Sequence, residues 1–196
     1  MRRSRSPAES AVDSPDVGPV LLAVARSAIA ERFGSARREA GRHPALSHPA
    51  ATFVTLRRNG DLRGCIGSLE PVRSLAADVR ENAVAAAFQD PRFPPLEAYE
   101  LEALSIEVSL LALPEPIAVK DEAEVIARLE PGVDGVILRY GDRRATFLPQ
   151  VWESFADPRE FLAALKHKAG LAADFWSREV DIHRYRVTKW AEAEYQ

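Results

Sequence analysis

The densest chemistry in the chain lies in Leu62–Pro71, LRGCIGSLEP, where the single cysteine, Cys65, follows Gly64 and precedes Gly67 by two places. A thiol reacts as the thiolate, which a neighbouring cation, a helix N-terminus or a paired histidine favours. Arg63 lies two residues away in an extended run, so it is expected on the same strand face and could supply that charge. His43, His48, His167 and His183 are each single, and none is marked by spacing as the partner base. The competing account is a packed thiol, since free cysteine often serves as a small core side chain. The glycines fit either account: close backbone approach by a reacting group, or a strand end that turns.

Four further places carry candidate chemistry. Asp90-Pro91-Arg92 fixes opposite charges on either side of a proline, so Arg92 could clamp a carboxylate or phosphate, or pair with Asp90 across the loop. Glu107 sits mid-strand on a polar face, either simply solvated or as a cleft carboxylate. Asn82 interrupts an apolar helical stripe, and an amide there must bond buried backbone or line a cleft. Lys166-His167-Lys168 ends a helix as a solvated basic terminus favoured by the helix dipole. Lys168, three residues from Leu165, borders the buried face and could reach a pocket beside Gln150 and Trp152. His43 and His48 lie five apart in a proline-bearing loop, too weak a spacing for a metal site.

These residues need elements to position them. Pro19–Gly34 places Leu21, Val24, Ala25, Ala28 and Ile29 at helical spacing, with Gly34 as the C-terminal stop. TFVTLRRNGDLRGCIG reads as a hairpin about Asn59-Gly60, because both turn residues need positive φ. A two-residue loop pairs Arg58 with Asp61, and counting outward sets Val54 opposite Cys65. Ser74–Phe88 is a helix with Leu75, Val79, Ala83 and Ala86 along one stripe, ended by the prolines of QDPRFPPL. ALSIEVSLL alternates as a half-buried strand with Leu104, Ile106, Val108 and Leu110 on one face. Asp121–Leu129 is a short helix, and DGVILRYGDRRATFLPQVW is a second hairpin around Gly141-Asp142. Asp157-Pro158-Arg159-Glu160 caps a helix that buries Phe161, Leu162 and Leu165 and stops at Gly170. VDIHRYRVT closes the chain as one alternating strand. Local hairpins interleaved with helices give an α+β fold, mainly antiparallel sheet with packed helices.

The whole composition narrows the function classes. The 196 residues suffice for one domain, read as 18–196 after a disordered leader over 1–17. With 26 basic and 29 acidic residues the net charge is −3, which gives nucleic-acid binding no support. One cysteine excludes an internal disulfide and an iron–sulfur cluster, and a metal would need His and carboxylate ligands; no metal or cofactor is assigned. No secretory signal or membrane span is legible, so the protein is expected in the cytoplasm. GxGxxG, Walker and HExxH motifs are missing from the sequence.

Six blocks, LRGCIGSLEP, DVRENAVAAAFQDPRFPPL, LSIEVSLL with PEP after it, PGVDGVIL, TFLPQVWE and FLAALKHKAGL, occur in the order and approximate spacing of the AMMECR domain family, which the chain resembles over about residues 18–190. The family often has glycine where this chain has Ala145, a small departure in the hairpin before TFLPQVWE. The resemblance implies an α+β structure with a larger and a smaller lobe and a cleft near which the blocks gather. It carries Arg63, Gly64, Cys65, Gly67, Asn82, Asp90, Arg92, Glu107, Gln150 and Trp152 into that region. It also implies a pathway shared with a Memo-type protein and a radical-SAM protein as possible partners.

Two functions of different class follow. In the first, an enzyme or enzyme subunit binds a small or nucleotide-like ligand, with Cys65 as nucleophile or covalent carrier and Glu107 as acid/base. Arg63, Gly64, Gly67, Asn82, Asp90, Arg92, Gln150, Trp152 and Lys168 would then form the substrate-binding set. In the second, the same blocks maintain a non-catalytic binding or adaptor surface for those partners.

Overall fold

In a computed structural model of the protein, residues 17–36 and 41–194 are described. The leader expected over 1–17 falls outside them except at its last position, where Val17 already opens the first helix. Of the described residues, those up to Leu111 and from Thr188 on form one compact unit, and Ala112–Val187 form a second.

In the first unit a sheet runs in the order β2 (Asp61–Gly67), β1 (Pro49–Arg58), β4 (Leu104–Leu111), β9 (Val187–Ala191), with the two-residue β3 (Arg73–Ser74) also pairing β1. β1 is antiparallel to β2, β3 and β4. Helices α1 (Val17–Glu31) and α2 (Leu75–Phe88) pack on each other and on this sheet. The strand alternation decides which face they cover. Val54 and Leu56 of β1 and Ile106 and Val108 of β4 join Leu21, Ile29, Leu75 and Val79 in the core, so Thr55 and Glu107 project from the opposite face.

Asn59 (φ 54°) and Gly60 (φ 88°) make the hairpin turn that the sequence reading expects, and Arg58 pairs with Asp61. The register beyond is different. β1 and β2 slip between Leu56 and Arg57, so Leu56 faces Gly64, Arg57 faces Leu62, and Arg63 is the extra residue of a β-bulge. Cys65 therefore lies opposite Thr55, not Val54. Simple counting fails because nothing in the residue types of a two-residue hairpin marks a later bulge.

Gly64 is where sheet and helix touch backbone to backbone. A Cβ at this position would stand 2.1 Å from the carbonyl oxygen of Ala86 in α2. At Gly67 a Cβ would meet the Phe53 ring at 2.3 Å and the Thr52 carbonyl at 2.5 Å.

The second unit carries a sheet in the order β5 (Glu115–Pro116), β8 (Asp181–Tyr185), β6 (Gly135–Tyr140), β7 (Arg143–Phe147). Helices α3 (Glu122–Arg128) and α4 (Pro158–Lys168) accompany it. Asp157 caps α4 by accepting the N–H of Arg159, and Gly170 (φ 74°) ends it, as its sequence signals require. Phe161, Leu162 and Leu165 are buried against Val136, Leu138 and Ile182. The closing segment, expected as one strand, is two: β8 and β9 are separated at Arg186, whose carbonyl accepts the Ala112 N–H at 2.8 Å. β8 serves the second sheet and β9 the first. Lys166 also departs from a solvated basic end, since it is 1% exposed and donates to Glu122 (3.0 Å) and to the Phe175 carbonyl (3.2 Å). A 1:1 partner and a carbonyl let a lysine stay buried that periodicity alone places in water. No helix among the described residues is long and apolar enough to cross a membrane.

Candidate functional site

Register brings the chemical residues of the first unit into one row. Thr55 on β1 is paired with Cys65 on β2 and with Glu107 on β4. Directly paired residues share a face, so thiol, hydroxyl and carboxylate stand side by side across three strands, away from the helix-covered core. The Thr55 hydroxyl donates to Cys65 Sγ at 3.3 Å. Beyond Glu107, Lys189 of β9 places its Nζ 3.8 Å from Oε1. Cys65 is half-buried, and the Glu107 side chain is 25% exposed.

The thiol-bearing residue is held from outside the sheet. β2 is an edge strand, and its outward peptide groups lack a strand partner. At Cys65 they are taken by the loop after α2: Asp90 Oδ2 accepts the Cys65 N–H at 2.8 Å, and Arg92 Nη2 donates to the Cys65 carbonyl at 3.3 Å. Arg92 also grips the Asp90 carboxylate through Nε (2.9 Å) and Nη2 (2.7 Å). Pro91 between them fixes the spacing. The Arg92 hydrogen bonds, against the opposing effect of burial, hold Asp90 far below the usual carboxylate range, with the N–H groups of Cys65 and Arg92 adding to this. Arg92 in turn is raised above its ordinary value, first by Asp90 and, more weakly, by Cys65. Its side chain remains 53% exposed. The cation at the thiol is thus Arg92.

Arg63, which the sequence offers for that role, goes elsewhere. Its Nε and Nη2 bind the two oxygens of Glu100 at 2.8 and 2.9 Å, and Arg58 reaches the same carboxylate at 3.2 Å. The Arg63 bonds, opposed by burial, lower Glu100 to about 2. The bulge that shifts the register also releases Arg63 from strand pairing.

Asn82 is 4% exposed and anchors a buried polar network. Its Nδ2 donates to the Thr52 carbonyl (3.0 Å) and to Asp78 Oδ2 (2.9 Å). Fully buried Asp78 is the hub, accepting from the Thr52 N–H (2.8 Å) and hydroxyl (2.7 Å), Ser68 Oγ (2.6 Å) and Arg73 Nη2 (2.8 Å). These bonds tie α2 to β1 just beside Gly67 and Ser68. Thr55, Asp78 and Glu100 are absent from the sequence-derived set. The i, i+4 spacing of Asp78 and Asn82 on an otherwise apolar helix face is the signal that marks Asp78; Thr55 becomes visible only once the bulge is known.

The remaining candidates belong to the second unit. Trp152 is buried, stacks on Phe161 at 3.6 Å and 3°, and donates from Nε1 to the Asp134 carbonyl at 2.7 Å, a core position. Gln150 is exposed at the start of that turn. Lys168 Nζ donates to the Thr146 carbonyl at 3.0 Å and lies 5.0 Å from the centre of the Phe147 ring, closing the edge of β7. Of the histidines, His43 Nδ1 accepts the Ala45 N–H, and His183 Nδ1 lies 3.3 Å from Asp181 Oδ2. Among the described residues no group of three His, Cys, Asp or Glu side chains could hold a metal ion.

Comparison with known proteins matches residues 22–190 to the AMMECR1 family model. A protein of Methanothermobacter thermautotrophicus is 39% identical over 181 residues, covering 89% of this chain and 93% of its own. One from Sulfolobus acidocaldarius is 41% identical over 172 residues, covering 84% and 76%. The crystal structure of the uncharacterized protein PH0010 from Pyrococcus horikoshii is similar with a TM-score of 0.73 at 33% identity, covering 88% of this chain and 89% of that one.

Proposed function

The chain belongs to the AMMECR1 family, and from that premise we propose that it is an enzyme or enzyme subunit in which Cys65 is the nucleophile or covalent carrier and Glu107 the acid/base. The observation that carries this reading is the row of Cys65, Thr55 and Glu107 on the sheet face away from the core, with Arg92 gripping the Cys65 backbone. The thiol is half-buried, its sulfur accepts from the Thr55 hydroxyl, and its own carbonyl is held by the Arg92 guanidinium. The ligand is small or nucleotide-like and carries an electrophilic centre and a negative charge, which the exposed part of Arg92 would meet. The pathway shared with a Memo-type and a radical-SAM protein forms part of the same proposal.

Intact-mass spectrometry of the folded protein after exposure to small acyl phosphates and thioesters tests this reading. An adduct mapping to Cys65, slower to form in Glu107→Ala, is expected. No adduct on folded protein at any concentration would contradict it.

A second reading, a binding or adaptor module for those partners, is favoured by a different observation. Arg63, Asn82 and Asp90 all spend their polar groups on internal partners. Its mark would be a stable complex with either partner that survives Cys65→Ala unchanged.

A further inference from the structure

We propose that Thr55 is the positioning residue of the site: its hydroxyl, by donating to Sγ, holds the Cys65 sulfur for attack. This deepens the enzyme reading above and rests on it. Thr55 is 8% exposed and is the only residue that the register places directly opposite both Cys65 and Glu107. The β-bulge at Arg63 creates that placement, since without it Cys65 would face Val54, on the core side.

The chemistry follows from what a hydroxyl can do. It has one proton to donate and lone pairs with which to accept. Here the proton goes to Cys65 Sγ at 3.3 Å, so the sulfur is held as the acceptor of the pair. Threonine suits the post because its branched side chain is stiff at χ1, and flanking Val54 and Leu56 are fully buried, so the hydroxyl is aimed by the packed sheet. The charged groups on or beside this row are Arg92 from the loop after α2, Glu107 on β4, Lys189 on β9 and, two residues along the same face of β1, Arg57, which donates to the Gly60 carbonyl.

The test is the second-order rate of iodoacetamide alkylation of Cys65 in the folded full-length chain, followed across pH 5–9 for wild type, Thr55→Val and Thr55→Ser. Valine keeps the shape and removes the hydroxyl; serine keeps the hydroxyl. At pH 7 the valine variant is expected to react about tenfold more slowly, the size of a lost hydrogen bond to a charged group. Its rate profile should move to higher pH, while the serine variant stays within about threefold of wild type, given that the hydroxyl is retained. Identical profiles for wild type and a folded valine variant, with the wild-type thiol still reactive, would overturn the role of Thr55 and leave Cys65 standing. Loss of reactivity in valine and serine variants alike would also overturn it, since packing and not the hydroxyl would then be responsible. A wild-type thiol that reacts only on unfolding would remove the enzyme reading and this inference together.

Discussion

The carboxylate of Asp90 accepts the backbone N–H of Cys65 at 2.8 Å while the same carboxylate binds Arg92, which donates to the carbonyl of Cys65. One loop thereby pins both outward peptide groups of a single edge-strand residue. The pairing is tied to pH. Asp90 and Glu100 both ionise below the ordinary carboxylate range in the folded chain, Glu100 near 2, so their pairing contributes stability that is complete above the unfolded values near pH 4. That stability is lost as pH falls through the folded values.

Asp90→Asn should therefore lower stability at pH 7 by about 2 kcal/mol, the loss of charge-assisted bonds to a partly exposed arginine. Between about pH 4 and pH 2 it should flatten the decline seen for wild type. Urea unfolding at a series of pH values reads both effects. Parallel curves for the two proteins would show that the fork contributes nothing in this range.

Gly64→Ala should be far more damaging than its size suggests. The added Cβ would stand 2.1 Å from the Ala86 carbonyl oxygen, and the backbones that carry the two atoms are held in sheet and helix. A loss of about 3 kcal/mol or more is expected, as for other forced overpacking. Gly34→Ala, in open space at φ 84°, should cost about 1 kcal/mol. Thermal denaturation of the two variants side by side checks the ranking, and equal losses would argue against close helix–sheet contact at Gly64.

Asn82→Asp exchanges a donor for a second carboxylate at the site where Nδ2 now lies 2.9 Å from Asp78 Oδ2. Two buried like charges cannot both ionise cheaply, so one carboxyl of the pair is expected to titrate well above the usual range. A raised folded value means stability present at low pH and lost as pH rises. The variant should be destabilised at pH 7 by several kcal/mol, in line with breaking a buried ionic network, and should recover part of that toward pH 5. A variant equally stable at both pH values would mean that water reaches Asp78.

Periodicity and turn chemistry made most of this fold legible. The Asn59-Gly60 turn, the Asp157 cap and the Gly34 and Gly170 stops all stand where backbone physics demands those residue types. The polar stripe position of Asn82 is open in sequence between a buried anchor and a cleft residue, and the structure gives it buried partners. What stayed hidden depended on distance in sequence. The bulge at Arg63 follows from how β1 and β2 meet α2 at Gly64, not from any local residue preference. Thr55 was invisible until that slip placed it opposite Cys65, and Arg63 was assigned to the thiol because its partner, Glu100, lies 37 residues away. Lys166 was misplaced for the same reason, with its carboxylate 44 residues distant in α3.

The central claim is that Cys65 is an accessible nucleophile supported by Arg92, and the most direct measurement is its alkylation rate at pH 7 in the folded chain, compared with the urea-unfolded chain and with folded Arg92→Ala. The account predicts that the folded thiol reacts faster than the unfolded one and that removing the guanidinium slows it several-fold, as loss of a neighbouring cation should. Reaction limited to the rate of global unfolding, and unchanged by Arg92→Ala once stability is allowed for, would contradict it and leave Cys65 as a packed residue of the edge strand.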